Sequence, residues 1–380
     1  MQNFVYKNAT EILFGAGQTA NIAERIPADA TVLMLYGGGS IKHNGAYDQA
    51  LAALANHNVI EFGGVEANPT YETLMQALDV VRDEAVDFIL AVGGGSVGDG
   101  AKFIAAAAQF NGEPWDILEQ GAAVLSALPV GVVLTLPATG TESNGNSVIT
   151  RVGTQQKLGF GSPHVRPQFA VLDPSFTLTL PVRQVGNGVV DAFVHVIEQY
   201  LTYPTNAPLQ DRFAESILST LIEEGPKALA TPDDYAVRAN IMWCACMALN
   251  GLIGQGVPQD WSTHMIGHEV TAVHGLDHAQ TLAVVLPALL RVKIDQKRAK
   301  LEQLGQRVFG MPAPDAAATI DAIQAFFERM GVPTRLAGYD LDRSAVKPVI
   351  DSLEKNGMLA LGEHGDITPA VATQILELSS

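Results

Sequence analysis

The first half of the chain alternates short apolar runs with helical patterns. Thr31–Tyr36 is a compact β-prone run ending in Gly37-Gly38-Gly39-Ser40, and apolar positions at Tyr47, Leu51 and Leu54 then repeat at helical spacing. The same order recurs downstream. Val59–Phe62 predicts a strand, Tyr71–Arg82 a helix, Phe88–Val92 a strand running into Gly93-Gly94-Gly95-Ser96, and Asp99–Phe110 a helix. Val130–Leu136 and Phe169–Leu172 predict further buried strands. Strands alternating with helices predict a Rossmann-like α/β domain, with a parallel sheet that binds its ligand at the carboxyl ends of the strands.

The second half reads differently. Helical patterns run over Pro181–Thr202, Asp211–Glu224, Asp234–Gly251, Trp261–Val273, Thr281–Lys293 with a break or bend near Pro287, Asp295–Phe309, Asp315–Met330 and Thr368–Leu378, the last with a threonine cap and proline at its first position. No strand pattern follows Leu172. A boundary near Thr177–Pro181 is expected, with residues 1–180 forming an α/β dinucleotide-binding domain and residues 181–380 an all-helical metal-binding and catalytic domain.

Composition narrows this picture. The chain has 380 residues, 47% hydrophobic and 17% charged, which is long enough for two cores. Its formal charge of −17 argues against nucleic acid or an anionic membrane as a partner. No run approaches the ~18 apolar residues of a membrane span, and no signal peptide is legible, so a cytoplasmic protein is expected. Cys244 and Cys246, two apart in a helical pattern, are expected to be buried reduced thiols.

The densest chemistry lies between His264 and His278, where four of the nine histidines fall: His264, His268, His274 and His278. Neutral imidazole is the commonest ligand of divalent transition metals, so this is a candidate metal segment. Gly275 is expected to interrupt the helix there; His264 and His268 are placed on one helix and His278 just beyond a turn. The complementary half is Asp191-Ala-Phe-Val-His195, whose carboxylate and imidazole share a helix face. A mixed nitrogen and oxygen set suits Fe(II), Zn(II), Mn(II) or Co(II).

The two Gly-Gly-Gly-Ser turns each lie between a strand and a helix, where backbone N–H groups and a helix N-terminus can meet a phosphate. After Tyr36 no acid follows of the kind that bonds a ribose 2′-hydroxyl; Ser40 and Lys42 stand there instead, which fits a 2′-phosphate and so NADP(H) rather than NAD(H).

These segments resemble the iron-containing (group III) alcohol dehydrogenases, and within them the branch of NADP-dependent butanol dehydrogenases and broad-range aldehyde reductases. Gly93-Gly-Gly-Ser-Val-Gly-Asp99-Gly-Ala-Lys102 is similar to the family's G-G-G-S-x-x-D-x-x-K, and Asp191-Ala-Phe-Val-His195-Val-Ile-Glu198 to its D-x-x-x-H-x-x-E. The resemblance implies a two-domain fold with the active site in its cleft, and a homodimer or larger homo-oligomer. It implies Asp191, His195, His264 and His278 as metal ligands, Fe(II) as the metal with Zn(II) as the alternative, and His268 as a catalytic proton relay beside them. It further implies Gly94, Gly95 and Ser96 at the pyrophosphate, Gly37, Gly38 and Ser40 at the 2′-phosphate end, and Asn68 on the adenosine side. Thr135, Thr139 and Lys157 would make further dinucleotide contacts, and Asp99 would lie near the nicotinamide as a cofactor-binding residue and, with His268, a catalytic candidate. Thr135-Leu136 departs from the family's Thr-Thr pair, and His274 replaces an aromatic residue and is expected to be structural.

A metal ion at such a site acts as a Lewis acid on a carbonyl or alkoxide, and hydride moves between nicotinamide and substrate. Glu198 would orient a ligand or form a surface salt bridge. Phe193, Trp261 and Leu252 are candidate apolar pocket walls, and no Lys or Arg cluster accompanies them, so small to medium aliphatic alcohols and aldehydes are the expected substrates. The rivals are a Zn- and NAD-using polyol-phosphate dehydrogenase or dehydroquinate-synthase-like enzyme, and a non-catalytic metal or nucleotide binder.

Overall fold

The computed structural model describes residues 1–380. Contacts divide the chain into two units, one of Lys7–Leu180 with Pro232–Cys246, the other of Met1–Tyr6, Pro181–Thr231 and Met247–Ser380. The chain thus changes unit several times, and a single cut at 180/181 does not describe it. Pro232–Cys246 belongs with the first unit because Trp243 packs edge-on against Phe14 and the Tyr235 hydroxyl accepts the Ala16 N–H.

The first unit contains β1 (Glu11–Phe14), β2 (Thr31–Tyr36), α1 (Ala46–Ala53), β3 (Asn58–Phe62), α2 (Tyr71–Asp83), β4 (Phe88–Gly93), α3 (Gly95–Ala108), α4 (Asp116–Glu119), β5 (Val130–Leu134), β6 (Asn146–Arg151), β7 (Gln156–Gly161) and β8 (Phe169–Leu172). Six strands form a parallel sheet in the order β1-β8-β5-β4-β2-β3. Its central strands are apolar throughout because both faces are covered; Leu33, Met34, Ile89, Leu90, Val132 and Val133 are fully or almost fully buried.

From β2 the chain moves outward to β3, and from β4 outward to β5 on the opposite side. The point where the winding reverses therefore lies between β2 and β4, where open α/β sheets bind ligands. Both triglycine turns leave the carboxyl ends of these two neighbouring strands, which pair Tyr36 with Val92.

Two features escaped the periodicity. β1 is a four-residue edge strand. β6 and β7 form an antiparallel hairpin in a polar stretch, rich in Ser, Thr, Asn and Gly, where only Leu158 and Phe160 alternate, too few to mark a strand pair.

Helix α3 also begins earlier than the pattern predicts, at Gly95 rather than Asp99. Its first turn is glycine-rich because the 139–141 loop packs directly on it. A Cβ on Gly95 would stand 2.5 Å from Thr139 Oγ1, and one on Gly98 2.6 Å from Thr141 Cγ2.

The helix α7 (Tyr235–Ala248) carries Cys244 and Cys246, both buried and free. The second unit is built from α5 (Val182–Tyr200), α6 (Pro208–Ala230), α8 (Ser262–His274), α9 (His278–Val292), α10 (Ile294–Arg307), α11 (Ala316–Arg329), α12 (Val346–Lys355) and α13 (Pro369–Leu378). Every residue of α5 from Val185 to Tyr200 is buried, so this helix is enclosed on all sides. The helix α9 runs through Pro287 without ending, and α6 through Pro226, so neither proline breaks its helix. No helix is long and apolar enough to cross a membrane.

Candidate metal and dinucleotide sites

The break expected at Gly275 is a left-handed C-cap. Gly275 has φ +73° and its N–H closes α8 on Thr271 O at 2.8 Å. Asp277 then opens α9 with a capping box to Gln280, making His278 the first helical residue. Asn187 on α5 donates to Asp277 at 3.1 Å, which ties this turn to the helix bearing Asp191.

Three elements converge there. Ligand atoms of Asp191, His195 and His264 all lie within 4.8 Å of one another, and all three residues are buried. Asp191 Oδ1 is 3.4 Å from His195 Nδ1, 4.0 Å from His264 Nε2 and 3.8 Å from His278 Nε2. His195 Nδ1 and His264 Nε2 are buried with no hydrogen-bond partner. Orphaned ring nitrogens around a carboxylate oxygen are costly unless something completes them, and a divalent cation with nitrogen and oxygen preference fits this donor set. Burial, and after it the neighbouring His264, push His195 well below the usual imidazole range, which keeps it in the neutral, ligating form.

Glu198, for which a surface salt bridge was the other expectation, is buried and faces His264. Its carboxylate accepts from His264 Nδ1–H, from the His264 N–H at 3.3 Å and from the Thr263 N–H at 2.6 Å. This fixes the tautomer, leaving Nε2 as the lone-pair nitrogen.

The His268 ring lies 5.3 Å from that of His278. Trp261, in the left-handed region at φ +62°, stands edge-on to His195 and His264 at 6.2 and 5.3 Å between centroids. Phe193 is not a pocket wall: it is fully buried against Phe326 and Phe327, on the helix face away from Asp191. Leu252 is half-buried and its carbonyl accepts from Gln210 at 2.6 Å. His274, at the end of α8, is held by the backbone, with Nε2 2.9 Å from Ala345 O.

In the sheet unit the predicted dinucleotide residues also gather. Gly94 caps α3, and Gly95 and Ser96 open it. Asn68, left-handed at φ +60°, donates its N–H to Ser96 Oγ at 3.3 Å and accepts from Lys157 Nζ at 2.8 Å. Lys157 comes from β7, so the overlooked hairpin positions it. Thr135 N–H donates to Gly93 O at 2.9 Å, and Thr139 packs on Gly95.

Gly37, Gly38 and Gly39 turn the chain at the end of β2. A Cβ on Gly38 would meet nothing within 4 Å, and Gly39 takes φ +95° to enter the Ser40–Lys42 turn. An acid does stand close by, supplied by β3: Glu61 accepts from the Tyr47 hydroxyl at 3.0 Å and from the Tyr36 hydroxyl at 3.3 Å. The Lys42 ammonium lies over both phenol rings, 5.1 Å from that of Tyr36 and 4.7 Å from that of Tyr47.

Asp99 is engaged within the fold. Its carboxylate accepts the Thr141 hydroxyl at 2.6 Å and the Val148 N–H at 3.0 Å, so it clasps the 139–141 loop and β6 to α3. Burial pushes its pKa up despite the nearby Lys102.

Comparison with known proteins agrees with this arrangement. A family model described as iron-containing alcohol dehydrogenase matches residues 9–174, and one for the C-terminal region of that family matches residues 186–374. The chain belongs to the iron-containing alcohol dehydrogenase family, and is an oxidoreductase. It is 58% identical to the NADPH-dependent aldehyde reductase YqhD of Escherichia coli K12 over 99% of both chains. It is 42% identical to a probable NADH-dependent butanol dehydrogenase of Bacillus subtilis over the whole of both. A solved structure of NADH-dependent butanol dehydrogenase A from Thermotoga maritima superposes with a TM-score of 0.96 at 34% identity, covering 100% of this chain and 99% of that one.

Proposed function

We propose that the chain is a metal-dependent, NADP(H)-linked alcohol dehydrogenase and aldehyde reductase for small to medium aliphatic alcohols and aldehydes. The observation carrying this reading is the meeting of Asp191, His195 and His264 around ring nitrogens that have no protein partner. Asp191, His195, His264 and His278 would hold the ion, Fe(II) in keeping with the family, though the same donors accept Zn(II). When bound, the metal supplies Lewis acidity toward a carbonyl or alcohol oxygen, and the nicotinamide supplies or accepts hydride.

The chain's own residues do the rest. Glu198 holds the His264 ring in one tautomer. Burial keeps His195 uncharged. His268, beside His278, is the group to hold or deliver the proton at the alcohol oxygen. The amides at the start of α3 and Ser96 would bind the pyrophosphate, Asn68 the adenosine side, and Thr135, Thr139 and Lys157 the remaining dinucleotide contacts. Asp99 holds the loop beneath them. The three relatives named above divide between NADPH, in one, and NADH, in two, so cofactor choice falls to local chemistry; the Gly37–Ser40 turn and Lys42 favour a 2′-phosphate. The reading includes a cytoplasmic homodimer or larger homo-oligomer, checked by sedimentation.

The test is butanal-dependent oxidation of NADPH and NADH by protein stripped of metal and resupplied anaerobically with Fe(II) or Zn(II). Activity that vanishes on stripping, returns with one metal and prefers NADPH supports the reading. Activity indifferent to stripping removes the metal mechanism, and preference for NADH removes only the 2′-phosphate argument. A sugar phosphate turned over faster than butanal would overturn the substrate assignment.

A further inference from the structure

Lys297 lies on α10 in Ile294-Asp-Gln-Lys-Arg, which reads as a solvated helix face, yet its side chain is only 3% exposed. Its ammonium donates to Leu201 O at 2.7 Å, Asp260 Oδ2 at 2.7 Å and Glu363 Oε1 at 2.9 Å. The three acceptors belong to separate parts of the unit. Leu201 is the C-cap of α5; Asp260 leads into α8; Glu363 lies in the turn closed by the Leu361–Ile367 bridge.

Asp260 has further duties. Its Oδ1 accepts from the Ser262 N–H at 3.0 Å and from the Ser262 hydroxyl, and its own N–H donates to Glu198 O at 2.9 Å. One buried cation therefore joins the end of the helix bearing Asp191 and His195 to the start of the helix bearing His264 and His268. Although burial acts the other way, the Lys297 ammonium holds Asp260 below the usual carboxylate range, so the central pair stays ionised.

Stability alone is a weak reason for such a cluster. Apolar replacements of buried ion pairs are often neutral or stabilising, because the desolvation of the charges is avoided. What a three-way ammonium adds is direction: apolar contacts tolerate a helix sliding by a fraction of an ångström, whereas three hydrogen bonds to separate segments do not. Ligand distances in a metal centre are set to within about 0.2 Å, so they register such a slide.

We propose that Lys297, with Asp260 and Glu363, is a positioning residue for the metal centre, setting α5 against α8 so that His195 and Asp191 meet His264 in ligating geometry. The inference rests on the metal reading above. It assigns Lys297 no contact with substrate, cofactor or ion.

The test uses full-length protein: Zn(II) affinity by competition with a chromophoric chelator, the d–d spectrum after Co(II) substitution, thermal stability, and NADPH binding by fluorescence. Lys297→Met is expected to bind NADPH normally while Zn(II) affinity falls about tenfold or more and the Co(II) bands shift. Lys300→Met, on the same helix and paired instead with Asp211, is expected to change neither. Should K297M fail to fold, Glu363→Gln keeps the Lys297–Asp260 pair and is expected to shift the Co(II) bands by less. Wild-type affinity and spectrum in K297M, or in E363Q if it must stand in, overturn the inference whatever the melting temperature. A wild-type protein that binds no Zn(II) or Co(II) overturns the metal reading and this inference together.

Discussion

Glu198 accepts from His264 twice, from the ring Nδ1–H and from the backbone N–H. The two residues come from different helices, α5 and α8, and the contact turns His264 Nε2 toward Asp191 Oδ1, 4.0 Å away. Glu198→Ala is expected to lower metal affinity by about ten- to a hundredfold, the usual effect of losing an outer partner of a ligating histidine. Chelator competition on purified protein reads this directly; unchanged affinity would make Glu198 a packing residue only.

His264 and His268 share a helix but are expected to separate functionally. His264→Ala should lose bound metal, measured by elemental analysis. His268→Ala should keep the metal and lose kcat by about a hundredfold, the lower range for removal of a proton-transfer group. Equal metal loss in both variants would place His268 among the ligands.

The Lys42 ammonium sits over the Tyr36 and Tyr47 rings beside the Gly37–Ser40 turn. Lys42→Ala is expected to reduce kcat/KM for NADPH by about tenfold, a modest figure because the charge is exposed. The value for NADH should remain unchanged. A parallel loss with both cofactors would show that Lys42 shapes the turn and does not meet a 2′-phosphate.

Lys102 gives the protein a pH-dependent stability. The residue is fully buried, donates to Asn144 Oδ1 at 3.0 Å and Asn146 O at 2.7 Å, and is pushed down to about 8 by burial, with Asp99 and Glu142 acting against it. The unfolded chain keeps this proton up to about 10.4. Between those limits the unfolded state holds more protons, so the contribution of Lys102 to stability rises with pH; below about 8 it is constant. Lys102→Met should lower stability at pH 7 through its unsatisfied acceptors, yet flatten the rise between pH 8 and 10 in urea titrations. A slope like that of the wild type would assign the dependence to other groups.

Much of the architecture was legible along the chain. A buried parallel strand such as Phe88–Gly93 is apolar throughout and is followed by glycines, and both signals are local. Asp191 and His195 share a helix face by spacing alone, and Gly275 breaks the histidine segment through its own missing side chain. Elements with too few residues for a period, such as Glu11–Phe14, or with polar strands, such as Asn146–Arg151, left no comparable mark.

Periodicity says which way a side chain faces on its own element, and the sequence by itself determined that much: two strand-end glycine turns, two segments rich in metal-ligand chemistry, and a helical second half. It does not say what a side chain faces. Phe193, beside Asp191 in sequence, points into an aromatic core, whereas Glu198 and Lys297 resemble surface charges and are buried at 2.6–3.3 Å from their partners. Glu61 reaches the end of β2 only because β3 pairs beside it. Tertiary structure alone decided these, because a buried charge is stabilised by partners far away in the chain, and no local pattern encodes a partner at that distance.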